Sequence, residues 1–167
     1  MLTTIAYGIT TAQPPLLIVH GLFGSARNWG ALARRLADRG QVVVPDLRNH
    51  GESPWHPGQT YADMAGDLAE LVQQHGQMDV LGHSMGGKAA MLLALARPDL
   101  VGRLIVADIA PAAYSHSHLP HIAAMKALDP AKVTSRADAD RQLAASVPDL
   151  AIRAFLLQSL DLKSDPP

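Results

Sequence analysis

The sequence contains no cysteine, almost no net charge and no long apolar run. Without cysteine, disulfides and thiolate metal sites are excluded, which suits a reducing compartment. The chain has 14 basic and 15 acidic side chains, and no basic cluster favours nucleic acid or an anionic membrane surface. Its longest apolar stretch, AAMLLALA, is far shorter than the roughly 20 residues that span a bilayer, and the first residues lack a signal-peptide pattern. We therefore expect a cytoplasmic protein that binds neither nucleic acid nor membrane.

What the sequence does have is a series of short apolar runs separated by helical patterns. Apolar residues make up 48% of the 167, enough for a globular core. Runs of this length are typical of strands buried on both faces of a parallel sheet, and their alternation with helices predicts an α/β fold. The predicted buried strands are residues 15–20, 41–46, 78–82 and 102–108.

The pattern changes after residue 110. A loop rich in histidine is followed by helical patterns near residues 120–128, 135–145 and 149–160, and no strand pattern returns before the polar end of the chain. We therefore divide the sequence into an α/β core, residues 1–110, and a helical segment with a tail, residues 111–167.

A serine lies between the third predicted strand and the apolar helix that follows it. Gly82, Ser84 and Gly86 fit the pattern G-x-S-x-G. A predicted strand precedes the pattern and a predicted helix follows it, which is the context in which the pattern indicates a catalytic nucleophile. The serine of such a turn has a strained backbone, and small residues on either side let neighbouring chain pass closely. The helix N-terminus also favours developing negative charge. Ser84 is the predicted nucleophile.

Acyl transfer also needs hydrogen-bond donors for the oxyanion that forms on the substrate. One donor should be the backbone N–H of Met85, directly after the nucleophile. The second should come from the loop HGLFG that follows the first predicted strand, where Gly21 allows a sharp turn. Leu22 is the first candidate for this second amide, and Phe23 is the alternative.

Four ordered motifs together resemble the α/β-hydrolase superfamily, and within it small bacterial esterases of the YbfF type. These motifs are HGLFGS at 20–25, DLRNHGESP at 46–54, GHSMGGKAAM at 82–91 and ADIAP at 107–111. The resemblance implies a mainly parallel sheet flanked by helices, with a helical cap inserted late in the fold. It also implies acyl esters or thioesters as substrates and no metal or organic cofactor.

The same resemblance indicates that one expected catalytic residue is missing. In this superfamily the catalytic triad runs serine, acid, histidine along the chain, yet no histidine follows His121. We therefore expect a partial fold whose final strands are missing. Asp108 fits the position of the acid in some relatives, or else it is a structural carboxylate that fixes the turn before Pro111.

The other histidines offer substitutes with competing structural roles. His20 belongs to the oxyanion loop, His50 to a polar loop, and His83 is expected to point away from its neighbour Ser84. Three histidines, His116, His118 and His121, either belong to a polar loop, bind a metal, or reach Ser84 after movement of the cap. Asp46, Arg48 and Ser53 are expected to fix a turn.

Three functional hypotheses follow from the sequence. The first is a serine hydrolase of acyl esters with impaired turnover, and the others are a non-catalytic ligand-binding module and an inactive truncated relic of an esterase. Without final strands, the strand at 102–108 has an open apolar edge, which favours pairing with another chain. We therefore also expect a homo-oligomer or a complementing fragment that covers this edge.

Overall fold

In a computed structural model, which describes residues 1–115 and 117–162, the chain divides into two compact units. The first runs from Met1 to Ala112 and the second begins at Ala113. The sequence division was placed two residues earlier. Each unit is described separately below.

The first unit is built on a sheet in which four predicted strands are joined by one that the sequence pattern did not reveal. The strands are β1 (Thr4–Tyr7), β2 (Leu16–Val19), β3 (Val42–Pro45), β4 (Met78–His83) and β5 (Val101–Ala107). Their order is β1-β3-β2-β4-β5, and β1 is antiparallel to β3 while the other neighbours are parallel. The expected α/β fold with a mainly parallel sheet is therefore confirmed.

Alternate residues of the central strand β2 face opposite layers of helix. The helices of this unit are α1 (Gly30–Leu36), α2 (Tyr61–His75) and α3 (Met85–Ala96). Leu16 and Ile18 pack in the cluster that includes Ala33 of α1, whereas Leu17 and Val19 pack in the cluster of α2 and α3. The period of two in β2 thus supplies both hydrophobic cores, as a strand buried on both faces requires.

Helix α2 begins where its sequence predicts. Thr60 is the N-cap: its side chain accepts a hydrogen bond from the backbone amide of Asp63, and the Asp63 carboxylate in turn accepts from the Thr60 amide. This reciprocal cap satisfies two amides that the first turn leaves unpaired. Hydrogen bonds from the Thr60 amide and hydroxyl to the carboxylate hold the pKa of Asp63 below its ordinary value.

Strand β5 forms an edge of the sheet, in agreement with the open edge expected for a fold without its final strands. It is therefore not buried on both faces, although its apolar run alone predicts such burial. It pairs with β4 on one side, and no strand within the described residues pairs with the other. Its central side chains are consequently open, with Leu104 37% and Ile105 51% exposed. An apolar run of this kind indicates a strand that other layers cover, and the described part of the chain does not supply those layers.

The second unit is helical, in agreement with the three predicted patterns. The helices are α4 (Leu119–Lys126), α5 (Arg136–Leu143) and α6 (Leu150–Leu156), with short 3₁₀ turns at Pro130–Lys132 and Leu157–Ser159. Ser135 and Asp149 cap α5 and α6 through side-chain bonds to backbone amides. Hydrogen bonds from Thr134 and Ser135 lower the pKa of Asp138, in the first turn of α5, to about 2.

Candidate active site

Ser84 forms the whole connection between β4 and α3. Its backbone lies at φ 51° and ψ −120°, outside the range that a side-chain-bearing residue adopts without strain. The Ser84 amide donates to the carbonyl of Ala107 on β5 (3.0 Å), and its carbonyl accepts from the amide of Lys88 (3.2 Å). These bonds hold the strained serine, which is half-buried, at the carboxyl end of the sheet.

The flanking glycines are required by backbone contacts. A Cβ atom at Gly82 would lie 2.6 Å from the carbonyl oxygen of Gly86, and a Cβ atom at Gly86 would lie 2.3 Å from the carbonyl oxygen of His20. Real Cβ atoms do not come so close to a backbone oxygen, so both positions exclude larger residues. The first turn of α3 therefore packs directly on the end of β2, as the steric interpretation of the motif predicts.

The glycine loop after β2 lies against the serine. A Cβ atom at Gly21 would be 3.2 Å from the Cβ atom of Ser84. The loop makes a tight turn in which the Gly24 amide donates to the Gly21 carbonyl (3.0 Å), with Phe23 at φ 61°. That bond uses the amide of Gly24. The amide of Leu22, at the second position of the turn, takes no part in the bond.

Met85 supplies the amide on the other side of the serine. It is the first residue of α3, and an amide at this position has no helical acceptor. The structure thus brings the two segments that carry Leu22 and Met85 into contact around Ser84. Their role as paired oxyanion donors remains a prediction.

His20 joins the glycine loop to the loop after β3. Its Nε2 accepts from the amide of Leu47 (3.0 Å), so Nδ1 carries the proton and donates to the carbonyl of Gly21 (2.8 Å). Burial of the ring lowers the pKa of His20 to about 4, against an ordinary value of 6.5. His20 is therefore neutral at pH 7, and both ring nitrogens are engaged away from Ser84.

Asp46 fixes the long loop after β3. Its buried carboxylate accepts from the amides of Ala26 (2.7 Å) and Glu52 (2.9 Å), and Ser53 Oγ donates to its backbone carbonyl (2.6 Å). At Gly51, which has φ 51°, a Cβ atom would overlap this carboxylate. The turn-fixing role expected for Asp46 and Ser53 agrees with these bonds.

Arg48, the third residue expected to fix this turn, donates to the carbonyl of Gly58 within the loop (3.3 Å) and also ties the loop to α2. Its guanidinium makes two hydrogen bonds to the carboxylate of Asp67, of 2.6 and 2.7 Å. These bonds raise the pKa of Arg48 above its ordinary value. The loop after β3 is consequently held by the buried carboxylate of Asp46 and by the bidentate ion pair of Arg48 with Asp67.

Asp108 follows β5 in a left-handed conformation, with φ 56°. Its carboxylate lies 3.7 Å from Nε2 of His83, and its side chain is 87% exposed. A carboxylate this open is not buried against the turn before Pro111. The sequence interpretation did not foresee the pair with His83, because residues 25 apart meet here only through the pairing of β4 with β5.

His83 itself lies beside the glycine loop. Its ring contacts that of Trp29 edge-on, with centroids 5.8 Å apart. Its Nδ1 is 3.1 Å from the position of a Cβ atom at Gly21. The two ring nitrogens of His83 therefore face the Asp108 carboxylate and the glycine loop.

The remaining histidines of the candidate cluster belong to the second unit. The rings of His118 and His121 stack with centroids 5.9 Å apart, and His116 lies outside the described residues. Across residues 1–115 and 117–162, no three histidine, aspartate or glutamate side chains are grouped as a metal site. No helix in this part of the chain has the length and apolar character needed to cross a bilayer.

The parallel sheet, the strained serine between β4 and α3 and the adjoining glycine loop define an α/β hydrolase. The chain belongs to this family, since residues 14–167 match the family described as "alpha/beta hydrolase fold". The expected family membership is thereby confirmed.

Several proteins that are similar to this chain are named as esterases or as a lipase. The chain is 46% identical over 157 residues to the mouse "sn-1-specific diacylglycerol lipase ABHD11" (88% of this chain, 51% of the relative). It is 38% identical over 148 residues to the Escherichia coli "Esterase YbfF" (87% of this chain and 58% of the relative). A solved "Marine microorganism esterase" superimposes with a TM-score of 0.90 at 40% identity, over 99% of this chain and 66% of that one. The chain thus spans about half the length of the curated relatives it matches.

Proposed function

We propose that this chain carries the nucleophile and oxyanion loop of a serine hydrolase that cleaves carboxylic esters or thioesters of acyl groups. The observation that carries this proposal is the strained Ser84, held at the carboxyl end of β4 with Gly21 against its Cβ atom. Its relatives, named as esterases and a diacylglycerol lipase, support acyl esters as the substrate class.

In the proposed reaction, Ser84 Oγ attacks the acyl carbon and the carbonyl oxygen becomes an oxyanion. The backbone amides of Leu22 and Met85 donate to this oxyanion. The alcohol or thiol then leaves with a proton, and the acyl group stays on Ser84 as an ester that water hydrolyses. No metal or organic cofactor enters these steps, and the lack of cysteine supports a cytoplasmic setting.

Turnover by this chain alone is proposed to be slow, because the sequence has no histidine after His121 to act as the usual base. Asp108 would be the acid that orients such a base. Without a triad member, binding and the oxyanion donors still give a residual acceleration of roughly 10³–10⁴ over water in related catalytic sites. We therefore expect weak but Ser84-dependent ester cleavage.

Ligand binding without turnover is the second candidate function. It is favoured by the engagement of the nearby histidines: His20 bonds to Gly21 and Leu47, and His83 faces Asp108. In that case the site would hold an acyl group or another small apolar molecule without forming an adduct.

A pre-steady-state assay with 4-nitrophenyl butyrate separates these functions. The wild-type chain should release nitrophenolate and gain the mass of a butyryl group on the peptide that contains Ser84. Ser84→Ala should show neither signal, and Ser117→Ala, an exposed serine of the second unit, should behave as wild type. Equal nitrophenolate release by wild type and Ser84→Ala would refute the serine mechanism. Saturable binding of the ester without an adduct would establish the second function.

A further inference from the structure

The second unit contains a cavity that the proposed ester chemistry does not use. It has a volume of about 290 Å³ and is lined only by residues of α4, α5, α6 and the turns beside them. Leu143, Leu156 and Leu157, all buried, contribute to its apolar lining. Its size is near the lower limit of ligand pockets, roughly 300–1,000 Å³, which suits one alkyl chain better than a two-chain lipid.

Polar contacts of α5 and α6 hold the apolar lining of the cavity in place. The guanidinium of Arg136 donates to the carbonyl of Leu157 and to that of Leu160 (3.1 Å), so the turn after α6 is tied to α5. Arg153 of α6 bonds to Asp140 of α5 (2.8 Å) and to the carbonyl of Val147 (2.9 Å). Because these contacts fix both helices, the cavity is preformed and a ligand need not order it.

The lining also includes a cation. Lys126, at the end of α4, and Ser159 are the polar side chains of an otherwise apolar lining. Lys126 is exposed, and in residues 1–115 and 117–162 it forms no ion pair with a carboxylate. An apolar pocket with an exposed lysine in its lining is complementary to a molecule with an alkyl chain and an anionic head.

We propose that this cavity binds a free alkyl carboxylate of medium length, with the chain against the leucines and the carboxylate beside Lys126. The site goes beyond the proposed function, because every residue that forms it lies in the second unit and Ser84 takes no part. The partly exposed Met125 also lines the cavity, which makes it a position for filling the space without altering the buried leucines.

Calorimetric titration of the full chain with decanoate, below its micelle concentration, tests the site. Wild type and Ser84→Ala should bind one decanoate with equal affinity, which separates this site from the ester chemistry. Met125→Trp should weaken binding at least tenfold by filling the cavity. Leu150→Trp, a matched change at an exposed leucine that does not line the cavity, should leave binding unchanged.

The charge of Lys126 is tested by a second pair of variants. Lys126→Gln should weaken decanoate binding about 2–5-fold, as expected for an exposed ion pair, without changing the affinity for the uncharged decanol. Lys132→Gln removes a lysine that pairs with Asp129 outside the cavity and should have no effect. Decanoate affinity that is the same in wild type, Met125→Trp and Lys126→Gln would overturn the proposal. So would binding only to phosphatidylglycerol vesicles, because the source of the anion would then be a membrane.

Discussion

The two ends of the sheet are built in opposite ways. At the carboxyl ends, every non-glycine residue of positive φ in the described chain follows a strand: Phe23 after β2, Asn49 after β3, Ser84 after β4 and Asp108 after β5. At the amino end of β4, Asp79 instead accepts bonds from Arg39 (2.8 Å) and Arg103 (3.1 and 2.6 Å). Backbone strain is concentrated at the carboxyl ends of the strands, whereas at the amino end of β4 a buried carboxylate is paired with two arginines.

This contrast separates reactivity from stability within a single sheet. A residue in the left-handed region costs of order 1–3 kcal/mol, and it persists only where surrounding contacts enforce it. The buried carboxylate of Asp79 links the segment after α1 to β4 and β5, so it supports the strands whose other ends carry Ser84 and Asp108. We infer that changes at the amino end alter stability without altering chemistry, whereas changes at the carboxyl end alter chemistry and also stability.

The largest effect on stability is expected for Asp79→Ala. Removal of this carboxylate leaves Arg39, which is largely buried, without its partner and should lower the free energy of unfolding by about 3 kcal/mol. Urea unfolding measures the change, with Asp99→Ala, at an exposed pair with Arg97, as a control of little effect. Acylation of Ser84 under native conditions should stay the same. Loss of acylation with unchanged stability would contradict the separation of the two ends.

Acid should destabilise the carboxyl end through His20. Because burial lowers the pKa of folded His20 to about 4 while the unfolded value is 6.5, the unfolded chain binds more protons between these values. The stability contribution is complete above pH 6.5 and falls by about 3 kcal/mol as the pH drops to about 4. His20→Gln should remove this part of the pH dependence in urea titrations, and His56→Gln, at an exposed histidine, should retain it. Identical pH profiles for all three chains would disprove the role of His20.

A methyl group at Gly86 should impair chemistry more than folding. The added Cβ atom would force α3 away from the carbonyl oxygens of His20 and Val19, and the Met85 amide would move with it. We expect a stability loss of about 2 kcal/mol and a loss of Ser84 acylation of about 10²-fold. Gly66→Ala is the matched control, because nothing lies within 4 Å of its Cβ position on α2. Acylation that falls no further than stability explains would argue against a positioned amide.

Much of the first unit could be predicted because its signals are local. The apolar runs of β2, β3 and β4, the cap at Thr60 and the glycines around Ser84 each depend on neighbours within a few residues. Strand β1 could not be predicted this way. It has only four residues, its side chains are exposed or half-buried, and its antiparallel pairing with β3 is a long-range contact.

The site was predicted less completely than the fold for the same physical reason. Ser84 and the glycine loop belong to short motifs, whereas the pair between His83 and Asp108 arises from the register of β4 and β5. The apolar run of β5 on its own predicted a strand buried on both faces, and only the resemblance to the α/β hydrolases predicted its open edge. An apolar composition indicates that other layers cover a strand of this kind. It does not say whether those layers belong to the described part of the chain.

The smallest effect is expected for a substitution at the open edge of β5. It tests whether the sheet, along its whole length from one end to the other, needs a partner strand at this edge. An open strand edge with exposed Leu104 and Ile105 favours pairing with a second copy, which a two-fold axis would make antiparallel. Sedimentation velocity should show self-association that Ile105→Lys weakens about tenfold, or about 1.4 kcal/mol, by placing a charge at the edge. Ile9→Lys, the same change at an isoleucine that is 74% exposed outside β5, should leave association unaltered. A wild-type chain that stays monomeric at high concentration would disprove pairing between copies and leave a complementing fragment as the partner of this edge.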